Sequence, residues 1–233
     1  VTVVLSPDDV LALYNIAEGK NLYTVSEEKV TAFVQSLKDQ YDTYERQRPF
    51  VNRYGNTITV GTGADTYGFK MDLDATVELL SGVLESKTRL AEIKPAWINE
   101  AWTREEDGSD IGNTYIEVSI SDQYLWAYVD GELVLSSSIV SGNAGDHSTP
   151  RGVFRILNKE RNATLVGDDY RTPVSYWMSL TWGGVGLHDA TWRSSFGGSI
   201  YTYNGSHGCV NLPYWAASEL YGLFYEGTPV VIW

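Results

Sequence analysis

The spacing of apolar residues changes from a helical to a strand-like period halfway along the chain. Four apolar residues of the first half recur at i, i+3, i+4 and i+7, namely Val30, Phe33, Val34 and Leu37. This spacing predicts an amphipathic helix with one buried face. In the second half, Ile116, Val118 and Ile120 alternate with polar residues. A period of two predicts a strand, so the two halves differ in fold.

Capping residues divide the first half into three helices and two short strands. Ser6 and Pro7 form a typical helix start, and Gly19 is the predicted end of that helix. Ser26 is the predicted cap of the second helix, and Asp72 that of a third. The third helix buries Val77, Leu80 and Leu84. Alternation predicts strands over residues 56–60 and 67–71.

A polar, acidic segment separates the two halves. The run from Arg104 to Asp110 has no apolar period, which indicates a domain boundary. Beyond it, a strand over 124–129 leads into Asp130-Gly131, a strong hairpin signal. A helix begins near residues 211–213 and ends at Gly227, and a last strand covers 230–233. The predicted inner face of this helix comprises Ala216, Leu220, Leu223 and Phe224.

These patterns predict an α+β chain of two domains. Residues 1–112 form a mixed α/β domain. Residues 113–233 form a mainly β domain, sandwich-like or barrel-like, with one helix after the single cysteine.

The negative net charge argues against anionic partners. The net charge of the 233 residues is −13, and neither half is basic. Without a Lys/Arg stripe to neutralise phosphates, we expect no nucleic-acid binding and no attraction to an anionic membrane. The chain opens on Val1 and shows neither a signal segment nor an apolar span. We expect an excised portion of a longer protein, whose export signal or membrane anchor lies upstream.

The candidate chemistry lies in Ser206-His207-Gly208-Cys209-Val210-Asn211, which contains the only cysteine. Acyl transfer by a thiol needs a base or cation beside the sulfur and donors for an oxyanion. A neighbouring imidazolium or a helix N-terminus would lower the pKa of the thiol. Gly208 lets the backbone turn, so that the Gly208 and Cys209 amides can bind an oxyanion.

Spacing alone leaves the identity of the base open. His207 lies two positions before the cysteine, whereas His188 lies on a neighbouring predicted strand and is freer to reach the sulfur. Two other interpretations compete with a nucleophile. A lone cysteine is often an inert buried side chain. A zinc site could use His188, His207, Cys209 and His147, but the spacing matches no usual zinc pattern.

His188 followed after 17 residues by the 206–211 segment resembles the signature of the L,D-transpeptidase catalytic domain, also called YkuD-like. Thr149-Pro150-Arg151-Gly152-Val153-Phe154 is similar to the family's Thr-Pro-x-Gly-x-Phe. The resemblance covers about residues 113–233. Residues 1–112 more weakly resemble a peptidoglycan-binding domain of Gram-positive relatives, best at residues 67–72.

The resemblance implies roles for individual residues. Cys209 would be the nucleophile and His188 the general base, its ring held by a backbone carbonyl near Asp189. His207 would shape the oxyanion site or contact substrate, and Gly208 would supply an oxyanion donor. The residues expected to bind substrate are Ser206, Asn211 and Asp189, of which Ser206 and Asn211 would also hold the loop. Many relatives carry Arg at the position of Asn211, so substrate details of that branch do not transfer.

The resemblance also implies a reaction. A donor tetrapeptide stem of peptidoglycan would acylate the sulfur with loss of D-Ala, and the amine of an acceptor stem would take the acyl group. Such an enzyme needs no metal or organic cofactor, is a target of carbapenems and acts as a monomer at the cell wall, secreted or membrane-anchored, where it supports cell shape. Two alternatives stay open: an L,D-carboxypeptidase or endopeptidase that uses water, and a wall-binding protein without catalysis.

Overall fold

The computed structural model describes residues 2–17, 22–61, 63–86, 92–105, 108–167 and 170–233. The helices are α1 (Pro7–Ala12), α2 (Glu27–Tyr41), α3 (Leu73–Ser86), α4 (Tyr201–Asn204) and α5 (Tyr214–Leu223). The strands of the first half are β1 (Tyr14–Ala17), β2 (Leu22–Val25), β3 (Arg48–Val51), β4 (Thr57–Val60), β5 (Lys70–Met71) and β6 (Trp97–Asn99). The strands of the second half are β7 (Tyr115–Ser119), β8 (Tyr124–Val129), β9 (Glu132–Ser138), β10 (Gly152–Arg155), β11 (Asn158–Val166), β12 (Arg171–Ser179), β13 (Gly186–Asp189), β14 (Val210–Leu212) and β15 (Pro229–Ile232). This architecture confirms the predicted α+β class with a mainly β second half.

The helix starts of the first half agree with the predictions. Ser6 and Asp9 form a reciprocal capping box on α1, with Pro7 at the first helical position. The Asp72 carboxylate accepts the Ala75 N–H at 3.1 Å at the start of α3. Ser26 is the N-cap of α2, although its side chain makes no capping hydrogen bond. α1 already ends at Ala12, and the predicted end at Gly19 lies outside the described residues.

The predicted helix faces pack together into one small core. Val30 and Val34 of α2 are fully buried, and Leu80 and Leu84 of α3 are nearly so. They share a cluster with Phe33, Leu37 and Val77, which are partly buried. The helical spacing therefore identified the inner faces of both helices.

The predicted strand over 67–71 is wrong over most of its length, since only Lys70–Met71 is a strand. The Tyr67 N–H bonds instead to the carbonyl of Val153, and the Phe69 carbonyl accepts the N–H groups of Thr43 and Tyr44. These partners come from different segments, so no continuous ladder forms. Alternation in the sequence cannot reveal such divided pairing.

The second half is built from two sheets. One has the strand order β10-β15-β7-β8-β9, and the other β11-β12-β13-β14. Asp130 and Gly131 both have positive φ, at 50° and 82°, between β8 and β9, which confirms the predicted hairpin. The main core joins both sheets to the inner face of α5, on which Ala216 and Leu220 are fully buried.

Two details of the second half differ from the predictions. α5 ends at Leu223, before Gly227, and the Leu223 side chain is 43% exposed. β7 lies between β15 and β8 in the middle of its sheet, so its polar residues are buried as well. The Glu117 side chain is fully buried. Its Oε1 accepts hydrogen bonds from the Arg53 N–H at 2.8 Å and the Trp233 indole at 2.9 Å.

Packing crosses the predicted boundary at residues 112/113. One core cluster contains Phe50, Val60 and Tyr67 together with Val153 and Val231. The acidic segment before the boundary is itself anchored, because fully buried Asp110 pairs with Arg48 at 2.9 Å. The boundary stays a prediction, and the two halves share a continuous interior. None of the helices described is long and apolar enough to cross a membrane.

Candidate functional site

The loop that carries the cysteine is fixed by its own serine. The Ser206 hydroxyl accepts the Gly208 N–H at 3.1 Å and donates to the Cys209 carbonyl at 2.5 Å. Gly208 has φ +118°, a conformation that residues with a Cβ rarely adopt. The loop therefore has a defined shape that depends on both Ser206 and Gly208.

Strand register brings the cysteine and His188 to one face of a sheet. β13 pairs in parallel with β14, with His188 opposite Asn211. Cys209 directly precedes β14, two positions before Asn211. Trp177 lies opposite His188 on β12, so the two side chains share a face of the sheet. Cys209 belongs to the same buried cluster as Trp177, which places the cysteine on the face that carries His188.

A backbone carbonyl fixes the tautomer of His188. The His188 Nδ1 lies 2.8 Å from the Asp189 carbonyl oxygen. A carbonyl can only accept, so Nδ1 carries the proton and Nε2 has a free lone pair. The ring lies between Trp177 and Trp192, with centroid distances of 5.8 Å and 6.0 Å. His188 is therefore oriented to take up a proton at Nε2.

Burial keeps both groups neutral in the resting protein. It raises the pKa of the Cys209 thiol from 9.0 to about 11, which outweighs the opposing effect of a hydrogen bond from the Gly186 backbone. Burial likewise lowers the pKa of His188 below 6.5, against the opposing effects of the Asp189 carbonyl and charge. The sulfur is a protonated thiol that donates to the Gly184 carbonyl at 3.5 Å.

The other predicted site residues divide by exposure. Asp189 is 1% exposed, and its Oδ1 accepts the N–H groups of Ser175 and Tyr176 at 2.8 Å. Asn211 is 2% exposed, and its backbone pairs with Val140. Both side chains are buried, and their contact with substrate stays a prediction. His207 is exposed, and its ring lies 4.7 Å from that of His147 and 4.9 Å from that of Tyr170.

Sequence reasoning missed Thr149 as part of this site. Its buried hydroxyl accepts the Gly142 N–H and donates to the Gly208 carbonyl, both at 2.8 Å. Residues 140–143 run beside the cysteine loop, with bridges from Val140 to Asn211 and from Gly142 to Ser206. The Thr-Pro-x-Gly-x-Phe motif was a signal for Thr149, but a motif gives no contact partner.

No group of three or more His, Cys, Asp and Glu side chains that could hold a metal occurs within the described ranges. The His188 Nδ1 lies on the Asp189 carbonyl, and the His207 ring lies against those of His147 and Tyr170. The zinc interpretation therefore gains no support from this geometry.

Comparison with known proteins places this geometry in a family. The L,D-transpeptidase catalytic domain model, YkuD, matches residues 113–232, and a model described as a peptidoglycan binding domain matches residues 12–91. L,D-transpeptidase 1 of Mycobacterium tuberculosis is 30% identical over 137 residues, which cover 54% of this chain and 53% of the relative. The chain thus spans about half the length of that curated relative.

Two solved structures are similar over almost the whole chain. A crystal structure of an Enterococcus faecium L,D-transpeptidase has a TM-score of 0.83 and 32% identity, covering 98% of this chain and 90% of the other. The Ldtfm-avibactam carbamoyl enzyme has the same TM-score and identity, covering 98% and 88%. The chain belongs to the L,D-transpeptidase catalytic domain family, with a peptidoglycan-binding-type region before the catalytic domain.

Proposed function

We propose that this chain is a peptidoglycan L,D-transpeptidase that forms 3-3 cross-links between stem peptides through an acyl-enzyme on Cys209. One observation carries the proposal. The His188 ring lies on the same sheet face as Cys209, with its Nδ1 proton committed to the Asp189 carbonyl. This arrangement supplies a base beside a nucleophile, oriented by a third group, which is the arrangement that covalent catalysis needs.

The first step acylates the sulfur. Rotation about the Cβ–Sγ bond turns the thiol proton from the Gly184 carbonyl towards His188, which accepts it at Nε2. The sulfur attacks the carbonyl carbon of the amide between residues three and four of a tetrapeptide stem. The carbonyl electron pair moves to oxygen, where the Cys209 amide donates a hydrogen bond. The Gly208 amide joins it by giving up Ser206 as its acceptor. Collapse of the intermediate breaks the C–N bond, and D-Ala leaves with the proton from His188.

The second step releases the product. The side-chain amine of an acceptor stem attacks the thioester carbonyl, and neutral His188 takes a proton from that amine. The C–S bond breaks, and the sulfur recovers its proton from His188. Because burial lowers the pKa of His188, the imidazole is neutral at physiological pH and its Nε2 can accept this proton.

In this proposal, the neutral resting state of Cys209 and His188 delays reaction until substrate is bound. A thiol with a pKa of about 11 is a weak nucleophile until proton transfer to His188 and attack on the substrate occur together. Bound substrate excludes water and provides the acceptor carbonyl, so the buried pair reacts only when the substrate is in place. The matched Ldtfm structure is a carbamoyl enzyme, and we propose that avibactam and carbapenems likewise acylate Cys209.

The surrounding assignments belong to the same proposal. Residues 1–112 form a peptidoglycan-binding domain and residues 113–233 the catalytic domain. The exposed His207 ring contacts the bound stem peptide. The protein acts as a monomer at the cell wall, outside the cytoplasm, either secreted or membrane-anchored, and supports cell shape.

Hydrolysis is the main alternative, since water can replace the acceptor amine at the same thioester. A wall-binding protein without catalysis is the other alternative. Incubation with a disaccharide-tetrapeptide, followed by mass spectrometry, separates the three. A cross-linked dimer with loss of D-Ala supports transpeptidation, a tripeptide alone supports hydrolysis, and unchanged substrate supports the binding protein.

Substitutions test the assigned roles. Cys209→Ala is expected to abolish both products, and His188→Gln to slow them by about 10²–10⁴-fold, the usual contribution of a general base. His147→Gln is the matched control for the proton path alone, because this histidine is exposed and contacts the His207 ring rather than Cys209 or His188. Product formation by Cys209→Ala would refute the assignment of the nucleophile.

A further inference from the structure

The Thr-Pro-x-Gly-x-Phe motif contains a buried hydroxyl, that of Thr149, whose presence is not explained by hydrophobic packing. Phe154 of the motif is fully buried in the main core. Thr149 is 4% exposed and uses its hydroxyl twice: it accepts the Gly142 N–H at 2.8 Å and donates to the Gly208 carbonyl at 2.8 Å. A valine would fill about the same volume but would leave the Gly142 N–H and the Gly208 carbonyl without these hydrogen bonds. The hydroxyl therefore matters for how Gly208 is held.

The geometry of the peptide bond connects this contact to the reaction. The Gly208 carbonyl and the Cys209 N–H belong to one planar trans unit, in which the C=O and N–H groups point in opposite directions. A hydrogen bond that fixes the Gly208 oxygen therefore also fixes the direction of the Cys209 N–H. A carbonyl that accepts a hydrogen bond also polarises its own N–H, which becomes a stronger donor.

The neighbouring peptide units are held by a different residue. Ser206 accepts the Gly208 N–H and donates to the Cys209 carbonyl. Ser206 thus fixes the units on either side, and Thr149 fixes the unit between them. The supporting segment is close: a Cβ on Gly142 would lie 2.9 Å from the Gly208 Cα and 2.0 Å from the His147 carbonyl oxygen.

We propose that Thr149 is a positioning residue that aims the Cys209 N–H at the oxyanion of the acylation intermediate. The inference rests on the proposed function and adds a residue to it. When the sulfur attacks, the carbonyl electron pair of the substrate moves to oxygen, and the Cys209 N–H donates to that oxygen. The proton of the thiol goes to His188, and Thr149 exchanges no atoms.

Two reagents separate aiming of the donor from placement of the sulfur. Avibactam carbamoylates through attack on a carbonyl, so an oxyanion forms. Iodoacetamide alkylates through displacement at a saturated carbon, and no oxyanion forms. Removing an oxyanion donor outright costs about 10²–10³-fold in rate, so we expect loss of its aim to cost about 10–100-fold. We therefore expect Thr149→Val to slow carbamoylation by that factor and to leave alkylation within about twofold of wild type.

Mass spectrometry of the intact protein measures both rates at one pH. Thr149→Ser restores the hydroxyl and should recover carbamoylation, which a purely steric role of Thr149 would not predict. If circular dichroism shows Thr149→Val to be unfolded, Thr149→Ala gives the same comparison. Equal slowing of both reactions, or of neither, overturns the inference. If wild type cross-links tetrapeptides and Thr149→Val is carbamoylated at the wild-type rate, only the role of Thr149 fails. A wild type that neither cross-links nor carbamoylates overturns the proposed function as well.

Discussion

The pH dependence of Cys209 alkylation tests whether the resting site is neutral. Burial raises the pKa of this thiol from 9.0 to about 11. Two pKa units correspond to about a hundredfold smaller thiolate fraction at neutral pH than in an ordinary cysteine. Only the thiolate reacts with iodoacetamide. The alkylation rate should therefore rise about tenfold for each pH unit from pH 7 to pH 10, without reaching a plateau.

Because Cys209 is the only cysteine, intact mass after timed exposure reports its alkylation without background from other thiols. Poor access through the surrounding Trp177 and Val174 would lower every rate by the same factor and leave the slope unchanged. Cys209→Ala supplies the blank. An alkylation rate that is flat below pH 8 would show a thiolate–imidazolium pair and refute the reasoning from burial.

Two further substitutions test the loop and the buried carboxylate. Gly208→Ala places a Cβ at φ +118°, 3.4 Å from the Val185 side chain, and should cost roughly 1–3 kcal/mol of strain. We expect its carbamoylation to fall at least tenfold, and a wild-type rate would show that the positive φ is dispensable. Burial raises the pKa of Glu117 above 4.5. The folded state therefore binds its proton more tightly than the unfolded state, and stability is lost as pH rises from about 4.5 through the folded pKa. Glu117→Gln should remove this loss, so that its melting temperature exceeds that of wild type at pH 7 but not at pH 4. Parallel melting curves across this range would contradict the assignment.

Local patterns predicted the elements whose partners lie nearby in the chain. The capping box at Ser6, the inner faces of α2 and α3 and the Asp130-Gly131 turn all depend on neighbours within a few residues. Cys209 and His188 could be singled out because both residue types are rare in this chain and their spacing resembles the signature of a known family. These features require no knowledge of the tertiary fold.

Long-range pairing explains what the sequence did not reveal. Asp110 was assigned to a polar linker, yet it is fully buried against Arg48, 62 positions earlier. Glu117 alternates like an exposed residue, but its strand lies in the middle of a sheet. The burial of the Cys209 thiol beside Trp177 of β12, which raises the pKa of the thiol, is equally absent from the local pattern. Each of these environments is assembled from distant segments.

The first half of the chain covers the free edge of β10, one of the two outer strands of the five-stranded sheet. On β10, the Val153 N–H bonds to the Asp65 carboxylate at 2.9 Å, its carbonyl accepts the Thr66 and Tyr67 N–H groups, and the Arg155 N–H bonds to the Thr66 hydroxyl at 3.1 Å. Unpaired strand edges invite other chains to add to the sheet. Without residues 65–67, β10 would be an unpaired edge of the second half. These residues therefore also protect the protein against edge-to-edge self-association.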